Sequence, residues 1–287
     1  MILGANVTRL PERPLRVLQI TDSHLGSYSE ETLLGVNTEQ SLRDVLATIV
    51  AEHCTLKGCG DSSFDPIPFD LIVATGDISN DGKRPSYQRF VQIVREYLPS
   101  IPLAWLEGNH DDPECMRVQG VPQPLSHIVG IGDWRIILLS SRVPFEERGE
   151  LPETELVRLE KLLAIRPQSP TLVMMHHQPV PVGCAWLDQY RVANATAFFE
   201  IVDKNPNVKG IAWGHVHQDF YLRRGEVELF ATPSTCVQFK PWSDDFAVDH
   251  TMPGYRVFNL HDNGRIVSDV RRVEGVSYNI DYSSSGY

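Results

Sequence analysis

Cysteine is scarce in this chain and poorly arranged for the chemistry it usually signals. The five, Cys54, Cys59, Cys115, Cys184 and Cys236, are odd in number and form no CxxC pair. That excludes a disulfide framework and a cysteine-rich zinc site as organising features. Long apolar runs are missing too, and nothing approaches the roughly 20 residues a membrane helix needs. The opening MILGANVTRLPERP has no basic segment followed by an apolar core, so no signal peptide is read there. These absences point to a reducing, cytoplasmic setting. Positive charge is in deficit, with 26 Lys and Arg against 37 Asp and Glu and a formal net charge of −11. An extended nucleic-acid backbone is therefore a poor partner. A small phosphate ester is not excluded, because bound cations can set the charge of a site.

What remains is an ordinary globular composition, 42% hydrophobic and 22% charged over 287 residues. That length suits one α/β domain. We expect a single domain over residues 1–275 and a polar C-terminal tail over residues 276–287. The stretch FDLIVATGD, Phe69 to Asp77, anchors the reading. Leu71, Ile72, Val73 and Ala74 form an apolar run of the kind buried on both faces in the middle of a sheet. The run delivers Gly76 and Asp77 into a polar loop, and open α/β sheets place ligands at such carboxyl ends.

Similar apolar strands are read at Leu15–Ile20, Ile101–Leu106, Trp134–Leu139, Thr171–Met175 and Val208–Trp213. Helices are expected at about 39–52, capped by Asn37 or Thr38, then from Pro85, at about 153–163 and at about 195–202. Leu56 to Pro68 reads as a surface loop. Val227–Ala231, Tyr255–Leu260 and Arg265–Arg271 read as later antiparallel strands. Early strand–helix alternation followed by hairpins implies two packed sheets with helices outside.

Five strand ends carry one kind of cargo: Asp22 and His24, Asp77, Asn109 and His110, His176 and His177, His215 and His217. Six of the ten histidines lie there. Carboxylate, imidazole and amide oxygen together suit a borderline or hard divalent cation. Asp-x-His and His-x-His put alternate side chains on one side of an extended segment. The candidate ligands outnumber what one ion takes, which points to two ions sharing a carboxylate, with Asp77 the natural bridge.

The set Asp22-x-His24, Gly76-Asp77, Gly108-Asn109-His110-Asp111, His176 and Gly214-His215-x-His217 resembles the calcineurin-like metallophosphoesterases. HHQPVPVGCAWLDQ (His176 to Gln189), GHVHQ (Gly214 to Gln218) and ATPSTCVQFKPWS (Ala231 to Ser243) are similar to the bacterial class III 3′,5′-cyclic AMP phosphodiesterases within that family. Gln178 departs from the pattern, since many relatives have a second proline there.

The resemblance implies a four-layer αββα sandwich, α/β in class, with two mixed sheets flanked by helices. It implies two divalent metal ions, Fe, Mn or Zn. Asp22, His24, Asp77 and His217 would hold the first ion, and Asp77, Asn109, His176 and His215 the second. His177 is the rival of its neighbour in the doublet. His24, Asn109, His110, Trp186 and His217 would contact substrate. Asp188, Gln189, Thr235, Gln238 and Lys240 lie in the same narrowing segments and are candidates for the nucleoside pocket. The implied reaction is hydrolysis of 3′,5′-cyclic AMP to 5′-AMP by a hydroxide bridging the ions. His110 would act on the departing 3′ oxygen and Asp111 would orient it. The expected partner is a small cyclic nucleotide, with no nucleic-acid polymer and no membrane, and the chain is expected as a monomer or homodimer. The rivals are a broader metallophosphodiesterase, acting on 2′,3′-cyclic nucleotides or glycerophosphodiesters, and a non-catalytic binding module of the same fold.

Overall fold

The computed structural model describes residues 13–55, 69–118 and 127–286. The loop expected from Leu56 to Pro68 lies outside them. In chain order the elements are β1 (Leu15–Ile20), a small pair β2 (Thr32–Leu33) and β3 (Val36–Asn37), α1 (Thr38–Thr55), β4 (Leu71–Thr75), α2 (Arg84–Tyr97) and β5 (Leu103–Leu106). Then come β6 (Ile128–Ile131), β7 (Trp134–Leu138), α3 (Glu153–Ile165), β8 (Thr171–Met174), α4 (Ala185–Asp188), α5 (Ala195–Asp203) and β9 (Val208–Trp213). The last are β10 (Phe220–Arg224), β11 (Val227–Ala231), β12 (Gly254–Leu260) and β13 (Ile266–Arg272). Asn37 caps α1, its Oδ1 accepting the Gln40 N–H at 2.7 Å. Pro85 sits in the first turn of α2, where its missing N–H is harmless.

Two mixed sheets result, ordered β13-β12-β1-β4-β5 and β10-β11-β9-β8-β7-β6. In the first, β1, β4 and β5 run parallel and β12 is antiparallel to β1 and β13. In the second, β7, β8, β9 and β11 are parallel, and the edge strands β6 and β10 are antiparallel to their neighbours. Two expectations change here. The strand leading to Asp77 is interior but not central, since β1 occupies the middle of the sheet. Val227–Ala231 is antiparallel only to β10 and pairs parallel with β9.

Strand alternation sorts the core into layers. Leu18, Ile20, Ile72 and Ala74 face α1 and α2, packing on Leu42, Leu46, Phe90 and Val94. Val17, Leu71 and Val73 face the other sheet, meeting Ile136, Leu172 and Met174. That sheet's outer face, with Ile137, Val173 and Ile211, is covered by Leu159 and Leu163 of α3 and Phe198 of α5. The order of layers is α, β, β, α. No helix among the described residues is long and apolar enough to cross a membrane. The C-terminal segment folds back on this body. The Tyr278 hydroxyl donates to Asp44, the Asp281 N–H to the Leu34 carbonyl, and Ile280 packs on the α3 side of the core.

A buried polar chain crosses between the sheets. Gln19 of β1 donates to Thr75 Oγ1 at 2.7 Å and to the Trp213 carbonyl at 3.2 Å. Its Oε1 accepts from Thr232, which in turn accepts from the Arg256 guanidinium. Arg256 also donates to the Ala231 carbonyl, Ser268 and Asp219, so no group in the chain is left unpaired. Asp219 is 49% exposed, so its ion pair adds little and the buried hydrogen bonds carry the effect. Replacing Arg256 by Met would strand the Ala231 and Thr232 acceptors at roughly 1–3 kcal/mol each. The expected loss is therefore about 2–6 kcal/mol. Urea unfolding should show a lower midpoint at unchanged slope. A midpoint within error of wild type would remove this network from the account of how the sheets are held.

Candidate functional site

The carboxyl ends of β1, β4, β5, β8 and β9 converge, and every strand-end residue singled out in the sequence lies in one buried neighbourhood. Pairing of β1 with β4 continues beyond the strands. The Asp22, His24 and Leu25 N–H groups donate to the carbonyls of Gly76, Asp77 and Ile78 at 3.0, 2.9 and 2.9 Å. Asp22, His24, Asp77, His215 and His217 all sit in the left-handed region, with φ between 46° and 62°. Asp and His tolerate that region better than most residues, but each such position costs of order 1 kcal/mol. The turn before Asp77 needs glycine. Gly76 has φ 96°, and a Cβ there would lie 2.5 Å from His176 Nδ1. A Cβ on Gly108 would collide with the Asp77 carboxylate.

Four sets of potential ligand atoms lie within 4.8 Å of one another: Asp22, His24 and His217; His24, Asp77 and His110; Asp22, Asp77 and His176; and His176, His177 and His215. Asp22, His24, Asp77 and His176 each belong to two sets, so the sets form one continuous cluster. Hydrogen bonding turns particular ring nitrogens inward. His176 Nδ1 donates to the Thr75 carbonyl at 2.8 Å, leaving Nε2 facing Asn109 Oδ1 at 3.1 Å and Asp77 Oδ2 at 3.2 Å. His217 Nδ1 donates to the Val237 carbonyl at 2.9 Å, leaving Nε2 facing Asp22 Oδ1 at 3.2 Å and His24 Nε2 at 3.3 Å. Phe239 stacks on the His217 ring at 4.2 Å and holds its plane. His215 Nε2 is buried with no hydrogen-bond partner. Between His217 and His24 a ring lone pair faces another unless a proton or a cation stands between, and at His176 a proton or a cation likewise reconciles the ring with Asp77. The residues present fit a pair of divalent ions.

The protonation pattern agrees. Burial pushes His24 down to about 3 and His215 well below its usual range, keeping both neutral with free lone pairs. Burial works against ionised Asp22 and Asp77, yet the facing imidazoles hold both carboxyls below their ordinary values. His176 is the exception. Burial disfavours its charge, but Asp77 lifts it to about 9. A proton on His176 is one way to neutralise Asp77, and a divalent ion does so with both groups deprotonated.

In the histidine doublet, His177 is engaged at both nitrogens. Nδ1 lies 2.8 Å from Ser141 Oγ and Nε2 lies 3.1 Å from the Glu147 carbonyl. His176 presents its Nε2 to Asp77 and Asn109, so the geometry favours it as the ligand. Asp111 is fully engaged by backbone. Its carboxylate accepts from Ile78, Ser79 and Gly108 N–H groups at 3.3, 3.0 and 2.9 Å, tying the loop after β4 to the loop after β5. Holding that loop, rather than bonding to the His110 ring, is the role these contacts support. Burial and the neighbouring charge of Asp77 raise its carboxyl to about 6. His110 is half-buried, its N–H donating to Asp77 Oδ1 at 3.0 Å and its ring 5.0 Å from that of His24.

A cleft of about 500 Å³ opens on the cluster, with Asn109, His110 and His215 on its polar side and Trp186, Leu187 and Phe246 on its apolar side. That size accommodates a nucleotide. Trp186 also packs on Phe239 and Phe246 at 5.0 and 5.1 Å, so it both packs and lines the cleft. Gln189 lines it as well. His24 and His217 do not line it. Asp188 accepts from the Val182 and Gly183 N–H groups and shapes a turn. Thr235 is buried against Ser23, Gln238 is buried and donates to the Ser234 carbonyl, and Lys240 is exposed. These four are absent from the cleft wall. Gln178, at the departure from the proline pattern, donates to the Leu187 carbonyl at 2.9 Å and braces the turn beneath that wall. Ser285 and Gly286, from the closing Ser-Gly-Tyr that is also similar to the family, line the cleft, as do Arg142 and Tyr190, which no motif or periodicity marks.

Comparison with known proteins now bears on this site. The family model described as calcineurin-like phosphoesterase matches residues 15–219. A Vibrio vulnificus protein named 3′,5′-cyclic adenosine monophosphate phosphodiesterase CpdA is 42% identical over 281 residues, covering 97% of each chain. Proteins of the same name from Pseudomonas aeruginosa and Escherichia coli K12 are 38% and 39% identical, covering 94% and 96% of each chain respectively. Among solved structures, a dimetal phosphatase from Danio rerio superposes with TM-score 0.63 at 15% identity, covering 91% of this chain and 97% of its own. GAP50 of Plasmodium, described as the anchor in the inner membrane complex, also reaches 0.63, at 12% identity with 93% and 87% coverage. At those identities the structures speak for the fold alone. The family match and the near-full-length relatives go further, and this chain belongs to the calcineurin-like phosphoesterases.

Proposed function

We infer that this chain hydrolyses 3′,5′-cyclic AMP to 5′-AMP and so lowers the level of that second messenger inside the cell. The observation that carries the reading is a nucleotide-sized cleft that meets a buried His/Asp cluster, suited to cations, through Asn109, His110 and His215. The end-to-end relatives narrow the phosphoester to cyclic AMP. The cytoplasm is where such a substrate is met. One chain forms the whole cluster and its cleft, so a monomer or a homodimer serves equally.

Asp22, His24, Asp77 and His217 would hold one ion, and Asp77, Asn109, His176 and His215 the other. Carboxylate, amide and neutral imidazole suit iron, manganese or zinc. When bound, such a pair supplies Lewis acidity toward phosphoryl oxygens and acidifies water. The chain's own groups do the rest. Asn109 points its carbonyl oxygen at the cluster, leaving its amide N–H₂ to donate to the phosphoryl group. Asp77 fixes the backbone of His110 so that the imidazole lies at the cleft floor, in reach of the departing 3′ oxygen, to which it gives a proton. Asp111 keeps that loop in place. The wall of Trp186 and Phe246 offers the nucleobase an apolar surface.

Three outcomes are expected. Asp77→Ala should lose bound metal and activity together, since Asp77 joins two of the ligand sets; elemental analysis finding two ions retained would remove it as the bridge. His110→Ala should keep its metals while kcat on cyclic AMP falls about 10²–10⁴-fold, the usual worth of general acid catalysis. On an activated aryl diester, whose leaving group needs no proton, the loss should be much smaller. Equal losses on the two substrates would leave His110 a positioning role only. Chromatography of the cyclic AMP reaction should show 5′-AMP. Appearance of 3′-AMP, or much faster turnover of linear diesters or 2′,3′-cyclic nucleotides, would overturn the substrate while leaving a metal-dependent hydrolase.

A further inference from the structure

Arg142 is a cation without a counterion among the described residues. It lines the cleft beside Asn109 and His110, half-buried, and its Nε is shut away from solvent with no hydrogen-bond partner. Among the described residues its guanidinium pairs with no carboxylate. The chain carries a net charge of −11, and Glu146 and Glu147 line the same cleft. Both are turned to other partners. Glu146 pairs with Arg148 at 2.5 Å, and Glu147 accepts from the Tyr190 hydroxyl. A desolvated guanidinium donor with nothing to bond is unfavourable, and an anion entering the cleft relieves it.

Its place in the cleft is fixed by its neighbours. Ser141, the preceding residue, bonds the His177 ring through its hydroxyl and accepts the His177 N–H at 3.1 Å, so the strand end carrying the histidine doublet holds this backbone. Arg142 itself bridges to Gly149. The Arg142 backbone therefore stands next to the histidine doublet, and its side chain lines the cleft that Asn109, His110 and His215 also line. Guanidinium matches a phosphoryl group as a planar, permanently charged fork of donors.

We propose that Arg142 is a substrate-binding residue that donates to a non-bridging phosphoryl oxygen of the diester. The proposal rests on the phosphodiesterase reading above and adds a protein cation to the charge that the cluster provides. It acts on the substrate's negative charge, before and during the reaction alike, so it governs binding more than the chemical step.

The test compares wild type with Arg142→Gln and Arg142→Lys on cyclic AMP and on bis(4-nitrophenyl) phosphate, which has the same charge and no nucleoside. Metal content and thermal midpoint are measured on each variant. A charge-assisted hydrogen bond corresponds to roughly 10- to 100-fold in affinity. Arg142→Gln should therefore raise KM at least about tenfold on both substrates, by similar factors and with kcat changed little, at unaltered metal content and melting. Arg142→Lys should recover part of the loss. KM within about twofold of wild type on both substrates would overturn the proposal. A loss confined to cyclic AMP would overturn the phosphoryl assignment in favour of a nucleobase contact. A loss that tracks missing metal would make the residue structural. Should wild type cleave the aryl diester but not cyclic AMP, the substrate reading fails, and the comparison on the aryl diester still decides the role of Arg142.

Discussion

The site depends on parallel pairing that does not stop where the strands stop. The backbone bonds from Asp22, His24 and Leu25 to the loop after β4 carry the register of β1 and β4 into the turns themselves. Those turns present carboxylates and imidazoles from left-handed backbone positions. Asp111 extends the same logic to the loop after β5, its carboxylate taking N–H groups from both loops. Asp22 does so across the sheets, accepting the His215 N–H with both oxygens at 3.1 Å. Side chains from four loops thus point inward because backbone groups hold those loops together, before any ion is considered.

Such an arrangement is expensive, and the layered fold offsets it. Left-handed aspartates and histidines, two buried carboxylates and several desolvated imidazoles are each unfavourable on their own. They persist where surrounding structure over-determines them. Here the apolar layers on both faces of β1, β4, β8 and β9 supply that, and the Gln19–Thr232–Arg256 chain locks the sheets' relative position nearby. Glycine is needed at positions 76 and 108 for a steric reason, since a Cβ at either would meet ligand atoms.

Much of this was legible in the sequence, and the reasons for the gaps are physical. The core strands announce themselves as apolar runs, and their ends carry the chemically loaded residues, so the cluster could be read residue by residue. An apolar run buried on both faces reads the same in the middle of a sheet and one position from the edge, where β4 lies covered by α1, α2 and the second sheet. β6 and β10 carry no such signal. They are edge strands, Ile128–Ile131 containing Gly130 and Phe220–Arg224 ending in two arginines, and neither shows clear alternation. The cleft walls were least legible of all. Trp186 and Gln189 lie in a segment that resembles the family and line the cleft, whereas Thr235 and Gln238 of the next such segment brace their own loop and the turn after β1. Nothing in one sequence separates a residue that touches a cleft from one that supports it, because both lie in irregular segments whose facing is set by tertiary contacts.

Fold and function separate cleanly here. A dimetal phosphatase and a protein described as a membrane-complex anchor superpose on this chain equally well, at 15% and 12% identity. The two-sheet frame by itself therefore implies neither catalysis nor anchoring. What the frame guarantees is that several strand ends meet at one edge, within reach of ligands contributed from both sheets. Whether that meeting point becomes a reactive centre is decided by the few residues placed there and by the walls the loops build around them. In this chain those residues are carboxylates, imidazoles and an amide whose lone pairs converge, under a cleft with one apolar side and one polar side. That convergence of ligand atoms is the feature an anchoring role would have no reason to keep.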